Sequence, residues 1–155
     1  MDSNKRKELA LWALGECFLP KIADQVIPDG YGDVVMQTAK DVLGGKTPTT
    51  DLTKFAGCHI PDLVNEKGLA IGFRAAALHQ FSYTLGLVIL NSQEMTRGAL
   101  EDIMDSVCLT AAYMTVYEKA ISEGGDKITP NKINDIFHHN RLRMAEIQRN
   151  KFLEE

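Results

Sequence analysis

The sequence predicts an all-α protein, a single-domain bundle of five to six helices, on three observations. Apolar residues recur at helical spacing along most of the 155-residue chain, and no stretch alternates as a half-buried strand does. Residues 69–90, LAIGFRAAALHQFSYTLGLVIL, are almost continuously apolar, which is typical of a helix buried on most of its circumference. The composition, 45% apolar and 25% charged, suits one domain over residues 1–155.

The N-terminal third is predicted to hold two helices and a short third one. The first should begin near Ser3 or Asn4, whose side chains are good caps, and extend beyond Pro20 to about residue 26. Pro20 should bend or divide this helix, because proline removes a backbone hydrogen bond. The second helix is predicted over about 33–43, before a pair of glycines, and the third over about 51–56.

The rest of the chain is predicted to form three longer helices. They should run from about 63 or 66 to 90, from about 96 to 123 with Thr96 or Gln93 as the cap, and from Pro130 to about 152. Because the connection at 91–95 is short, the first two of these should lie antiparallel as a central hairpin.

The long apolar segment could be mistaken for a membrane span. Arg74 and the His79-Gln80 pair argue against one, because a charge near mid-membrane costs about 2.5–3.5 kcal/mol. The three cysteines are far apart and form no CxxC, so we expect free buried thiols and a cytoplasmic protein, without a signal peptide. The net charge of −4 gives no general attraction to nucleic acid.

Several polar residues lie on apolar helical stripes and are candidates for a ligand site. Glu118 interrupts the main stripe of the penultimate helix, where it could pair with Arg74 of the long helix, or each could reach water separately. His79 lies on a stripe of small residues and is expected to be a core histidine, although a nucleophilic pair with Cys108 is conceivable.

The first helix offers a further candidate pocket. Glu16 lies near Trp12 and close to the expected bend, so its carboxylate could line a cavity or satisfy backbone groups freed by Pro20. The ligand-binding candidates are therefore Trp12, Glu16, Arg74, His79 and Glu118.

No metal, cofactor or catalytic residue is predicted. His138 and His139 are adjacent, so on a helix they point about 100° apart and cannot easily share one ion. Glu101, Asp102 and Asp105 form an acidic edge, which is more typical of a solvated face than of a cation site.

The N-terminal third resembles the opening of a family of small all-helical immunity proteins associated with bacterial toxin systems. The similar features are Leu9-Ala10-Leu11-Trp12-Ala13, Cys17, Leu19-Pro20, Pro28-Asp29 and an amphipathic helix ending at Gly45-Lys46. Ala75-Ala76-Ala77 and Ala111-Ala112-Tyr113 loosely resemble the central helices of that family.

The resemblance implies a bacterial protein that neutralises a cognate toxin by binding it. Acidic residues would suit a basic toxin, so the expected contacts are Asp29, Tyr31, Asp33, Glu101, Asp102 and Asp105. Three alternatives stay open: a helical small-molecule binder, an enzyme with a site between the central helices, and an oligomerisation module. The oligomeric state is not predicted.

Overall fold

The computed structural model describes residues 1–17, 31–46, 69–123 and 128–154, and over these residues the protein is all-α. In chain order the described helices are α1 (Ser3–Cys17), α2 (Tyr31–Leu43), α3 (Leu69–Leu90), α4 (Arg97–Ser122) and α5 (Pro130–Glu154). The predicted all-α bundle is confirmed. The expected bend at Pro20, the short helix over 51–56 and the residues 63–68 lie outside the described part of the chain.

The start of α1 agrees with the prediction, but the capping residue differs. Asp2 Oδ1 accepts a hydrogen bond from the Lys5 N–H at 2.8 Å, so Asp2 satisfies a free donor of the first turn. Ser3 Oγ instead accepts a bond from the Met95 N–H at 2.9 Å. The predicted cap therefore ties the beginning of α1 to the segment before α4.

Helix α2 begins two residues before the predicted start and ends at a glycine signal. The Lys46 N–H donates to the Asp41 carbonyl at 2.8 Å, and the Gly45 N–H donates to the Val42 carbonyl at 3.2 Å. This pair of bonds is a Schellman motif, in which a residue just after the end of the helix adopts the left-handed conformation. Gly45 supplies it with a φ of 76°.

Helices α3 and α4 form the most extensive helix pair that the structure describes. Thr96 Oγ1 accepts the Ala99 N–H at 3.1 Å, which confirms Thr96 as the cap of α4. The facing sides are apolar and include Phe81, Leu85 and Ile103, all fully buried. These contacts support an antiparallel central hairpin, which stays a prediction.

Helix α5 is the least buried of the long helices. It starts at Pro130, as predicted, with Thr129 Oγ1 accepting the Lys132 N–H at 3.3 Å. Its buried residues among those described are Met144 and Gln148. The neighbouring Ile147 is 37% exposed, because the inward stripe passes through Gln148.

The main core cluster takes residues from all five helices, and a single domain over the whole chain stays a prediction. Ile121, near the end of α4, is outside this cluster and 54% exposed. Among the described residues, none of the helices combines the length and apolarity that crossing a bilayer would require.

Candidate functional site

The five ligand-binding candidates do not gather at one described site. Trp12 is half-buried, with the Lys151 ammonium 5.6 Å from the centre of its ring, and Glu118 is half-buried on α4. The side chains of Glu16 and Arg74 lie outside the described ones, so the Arg74–Glu118 pair stays a hypothesis.

The prediction that His79 is a core histidine is wrong, because its side chain is exposed. Residues on the same stripe of α3 also face outward: Tyr83 is 57% exposed and Leu90 is 82% exposed. The sequence places this stripe 100° or more away from Phe81 and Leu85, which are fully buried. The stripe that contains His79, Tyr83 and Leu90 therefore forms an outer face of α3.

Polar side chains do cross the seam between α3 and α4, but at Gln80, Thr84 and Ser106. Gln80 Nε2 donates to Ser106 Oγ at 2.7 Å, and Thr84 Oγ1 donates to the Gln80 carbonyl at 2.8 Å. Thr84 Oγ1 and Ser106 Oγ are 2.6 Å apart and share a hydrogen bond in which either hydroxyl can be the donor, and Ser106 Oγ also lies 3.5 Å from the Gln80 carbonyl oxygen. The three groups close a ring of hydrogen bonds, so this buried polar cluster is internally satisfied.

Sequence reasoning missed this cluster, although a signal existed. Gln80 and Thr84 are four residues apart on one helix and so share a face. Their partner could not be foreseen without the relative register of α3 and α4. The cluster explains the polar interruption of the apolar segment as a helix-pairing device.

Cys108 is buried and free, as expected, whereas Cys17 and Cys58 lie outside the described side chains. Burial, together with the nearby charge of Asp105, raises the pKa of the Cys108 thiol to about 11. Arg141 and a hydrogen bond with Gln148 lower this pKa only in part. The thiol is therefore protonated near neutral pH, and with His79 exposed a Cys–His nucleophile is not supported.

The acidic edge of α4 is exposed, as predicted, and two of its residues line a groove. Glu101 and Asp105 stand on the wall of an open groove of about 450 Å³ between α4 and α5. The other described residues of the lining are Met104 on α4 and Ala145, Gln148, Arg149 and Phe152 on α5. Asp102 is exposed beside these acids and does not line this groove.

A second cavity continues from the first at the N-terminal end of α4. It has a volume of about 510 Å³ and is lined by Met1, Arg6, Arg97, Leu100, Glu101 and Phe152. Glu101 and Phe152 line both spaces, so the two cavities adjoin. Trp12, His79 and Glu118 line neither.

The N-terminal wall of this second cavity is held by contacts to the segment before α4. Arg6 Nη1 donates to the Met95 carbonyl at 3.1 Å, next to the bond from the Met95 N–H to Ser3. Lys7 Nζ donates to the Gln93 carbonyl at 3.3 Å. These three contacts join α1 to residues 93–95.

The residues of the two cavities were not singled out from the sequence, apart from Glu101 and Asp105. The last helix carried a usable signal: Met144, Gln148 and Phe152 recur every four residues and form its inward stripe. Arg6 gave none, because its position depends on how α1 meets the α3–α4 connection.

The remaining partner-binding candidates are near the start of α2. Tyr31 and Asp33 belong to its first turn, but their side chains lie outside the described ones, and Asp29 lies outside the described residues. Among the side chains that the structure does describe, His, Cys, Asp and Glu form no group of three suited to a metal ion.

The sequence matches no family model, and comparisons with curated proteins and with solved structures find no similar protein.

Proposed function

We propose that this chain is an immunity-type protein that binds and neutralises a basic bacterial toxin, with the acidic edge Glu101, Asp102 and Asp105 as its principal contact. One observation carries the proposal: two of these carboxylates stand exposed on the wall of an open groove that also offers apolar surface at Ala145 and Phe152. Such a combination suits a protein partner, because apolar contact supplies affinity and charge supplies orientation.

The acidic edge lies on helix α4, which is packed into the core. The opposite side of α4 is buried along its length, from Ala99 to Ala120, so the carboxylates are presented without a large loop-ordering cost on binding. Glu101 pairs with Arg97 at 3.0 Å, but both side chains are mostly exposed, so the pair is weak and a partner's cation can replace it.

A protein partner fits the charge of the chain better than a nucleic acid does. The formal net charge is −4, and the exposed acids of α4 would repel phosphate. The free thiol of Cys108 accords with action in the reducing cytoplasm.

Affinity capture with neutralised variants tests this proposal. The tagged protein is compared with E101Q/D102N/D105N, which removes three exposed charges at nearly constant shape. The control E94Q/D135N/E146Q removes three exposed charges elsewhere and so has the same net charge. We expect the wild type and the control to retain one stoichiometric basic polypeptide from native lysate, and the edge variant to lose it.

The captured polypeptide must then inhibit growth when expressed alone and be neutralised by co-expression of the wild-type chain. Binding should weaken with added salt, and less steeply for the edge variant, because fewer charge contacts are screened. Equal retention by the edge variant and the control, or a captured partner without toxicity, would contradict the proposal.

A further inference from the structure

The cavity at the N-terminal end of α4 combines two guanidinium groups with apolar walls. Arg6 and Arg97 line it together with Leu100 and Phe152, and Glu101 contributes the single acidic group of the described lining. Its volume of about 510 Å³ lies within the range of small-molecule sites, about 300–1,000 Å³. The acidic edge does not explain this part of the surface.

Arg6 is a fixed cation. Its side chain is half-buried, and the bond from Nη1 to the Met95 carbonyl uses one of the five N–H donors of a guanidinium. Met95 is itself fully buried and bonded to Ser3, so the anchoring carbonyl is held in place. A positioned guanidinium matches the two oxygens of a carboxylate better than a mobile ammonium would.

Arg97 is a second cation of this lining, and it is exposed. Its side chain is 85% exposed and pairs with Glu101 at 3.0 Å. Since exposed pairs of this kind are weak, a bound anion can draw Arg97 away from Glu101. The described lining has two cationic side chains and one acidic side chain, so a ligand with a single negative charge suits it, and Glu101 would repel the second charge of a dianion.

We propose that this cavity binds a small apolar carboxylate, with its charged end at Arg6 and Arg97 and its hydrocarbon body against Leu100 and Phe152. This site adjoins the proposed toxin contact and shares Glu101 and Phe152 with it, but it is defined by Arg6 and Arg97 and does not depend on toxin binding. It places a small-molecule site away from the helix seam considered from the sequence.

Decanoate is a suitable probe, with decanol as a ligand of the same chain length without the charge. Trp12, the only tryptophan, is a built-in fluorescence reporter, because Lys151, next to the cavity residue Phe152, lies over its ring. We expect saturable decanoate binding with a Kd below about 1 mM, and at least about tenfold weaker binding of decanol, as expected for loss of a charge-assisted hydrogen bond.

Arg6→Gln should remove most of the difference between the two ligands. The matched control is Arg143→Gln, which neutralises an exposed arginine on α5 that lines neither cavity. Because Arg6→Gln also loses the contact with Met95, thermal unfolding checks the fold of each variant. Arg97→Gln leaves that contact intact and should weaken decanoate binding severalfold with decanol unaffected.

Equal affinity for decanoate and decanol would overturn the inference, since the pocket would then be apolar without anion recognition. Absence of saturable decanoate binding in the folded wild type would overturn it as well. Unchanged preference for decanoate in folded Arg97→Gln and Arg6→Gln would place the anion elsewhere. None of these results bears on capture of a toxin by the acidic edge.

Discussion

Loss of the Ser106 hydroxyl should destabilise the protein, because the side-chain amide of Gln80 would be left without its acceptor. In Ser106→Ala, the Gln80 amide loses its acceptor at 2.7 Å at a half-buried position. Thr84 keeps its own bond to the Gln80 carbonyl at 2.8 Å, so only one group becomes unsatisfied. Leaving one buried donor without a partner costs about 1–3 kcal/mol, and partial access of Gln80 to water favours the lower half of that range.

A double-mutant cycle separates the hydrogen bond from the general effect of truncation. Gln80→Leu in the Ser106→Ala background removes both partners, and the double variant should be more stable than the sum of the single losses by at least about 0.5 kcal/mol. Urea unfolding followed by circular dichroism measures each free energy of unfolding. Ser122→Ala is the matched control, because that exposed hydroxyl bonds only the nearby Lys119 carbonyl, and it should change stability by less than about 0.5 kcal/mol.

Strict additivity in this cycle, or a Ser106→Ala loss no larger than that of Ser122→Ala, would refute the reasoning. It would mean that Gln80 and Ser106 do not meet across the α3–α4 seam. The register of the two helices, and with it the predicted hairpin, would then need revision.

Three further predictions concern the thiol and two helix ends. Cys108 should react with a disulfide reagent at pH 8 only on unfolding, and fast labelling of the folded protein would disprove this. Because burial raises the pKa of this thiol to about 11, its contribution to the free energy of unfolding is fully present below about pH 9. That contribution is lost, by up to about 2–3 kcal/mol, as the pH rises toward 11. Gly45→Ala should lower the free energy of unfolding, measured in urea, by about 1–2 kcal/mol, because alanine is strained at a φ of 76°. The control Gly98→Ala changes an exposed glycine inside α4 and should not destabilise the protein. Equal effects of the two substitutions would contradict the Schellman assignment. Thr96→Ala should lower the free energy of unfolding by about 1 kcal/mol through loss of the α4 cap, whereas Thr96→Ser should retain most of the stability of the wild type. Similar losses in the two variants would argue against capping.

Much of the fold could be predicted because it depends on local rules. Thr96 and Thr129-Pro130 mark helix starts by capping chemistry alone, and both starts are where the sequence places them. Asp2 could not be preferred over Ser3 in the same way. Ser3 is drawn to the Met95 N–H, a contact between segments more than ninety residues apart, and local rules contain no information on it.

The candidate site was harder to predict because it depends on relations between helices. The acidic edge was identifiable, since Glu101, Asp102 and Asp105 fall on the side of α4 away from its apolar stripe. The wall opposite it, Arg149 and Phe152, required knowledge that α5 packs on the same stretch of α4. His79 failed for a related reason: small residues on a stripe are equally compatible with a close helix contact and with an outer face.

The placement of the two cavities follows from how α5 is held. Its apolar contribution to the core is small, and part of its attachment is polar: Gln148 Nε2 donates to the Met104 carbonyl at 3.1 Å, and Asn140 Nδ2 donates to Thr115 Oγ1 at 2.9 Å. Such point contacts fix the register of α5 on α4 without filling the space between them, whereas an apolar stripe would close it. A helix of low apolar content therefore leaves the charged groups of α4 beside exposed apolar surface, and that combination is what both proposed binding surfaces require.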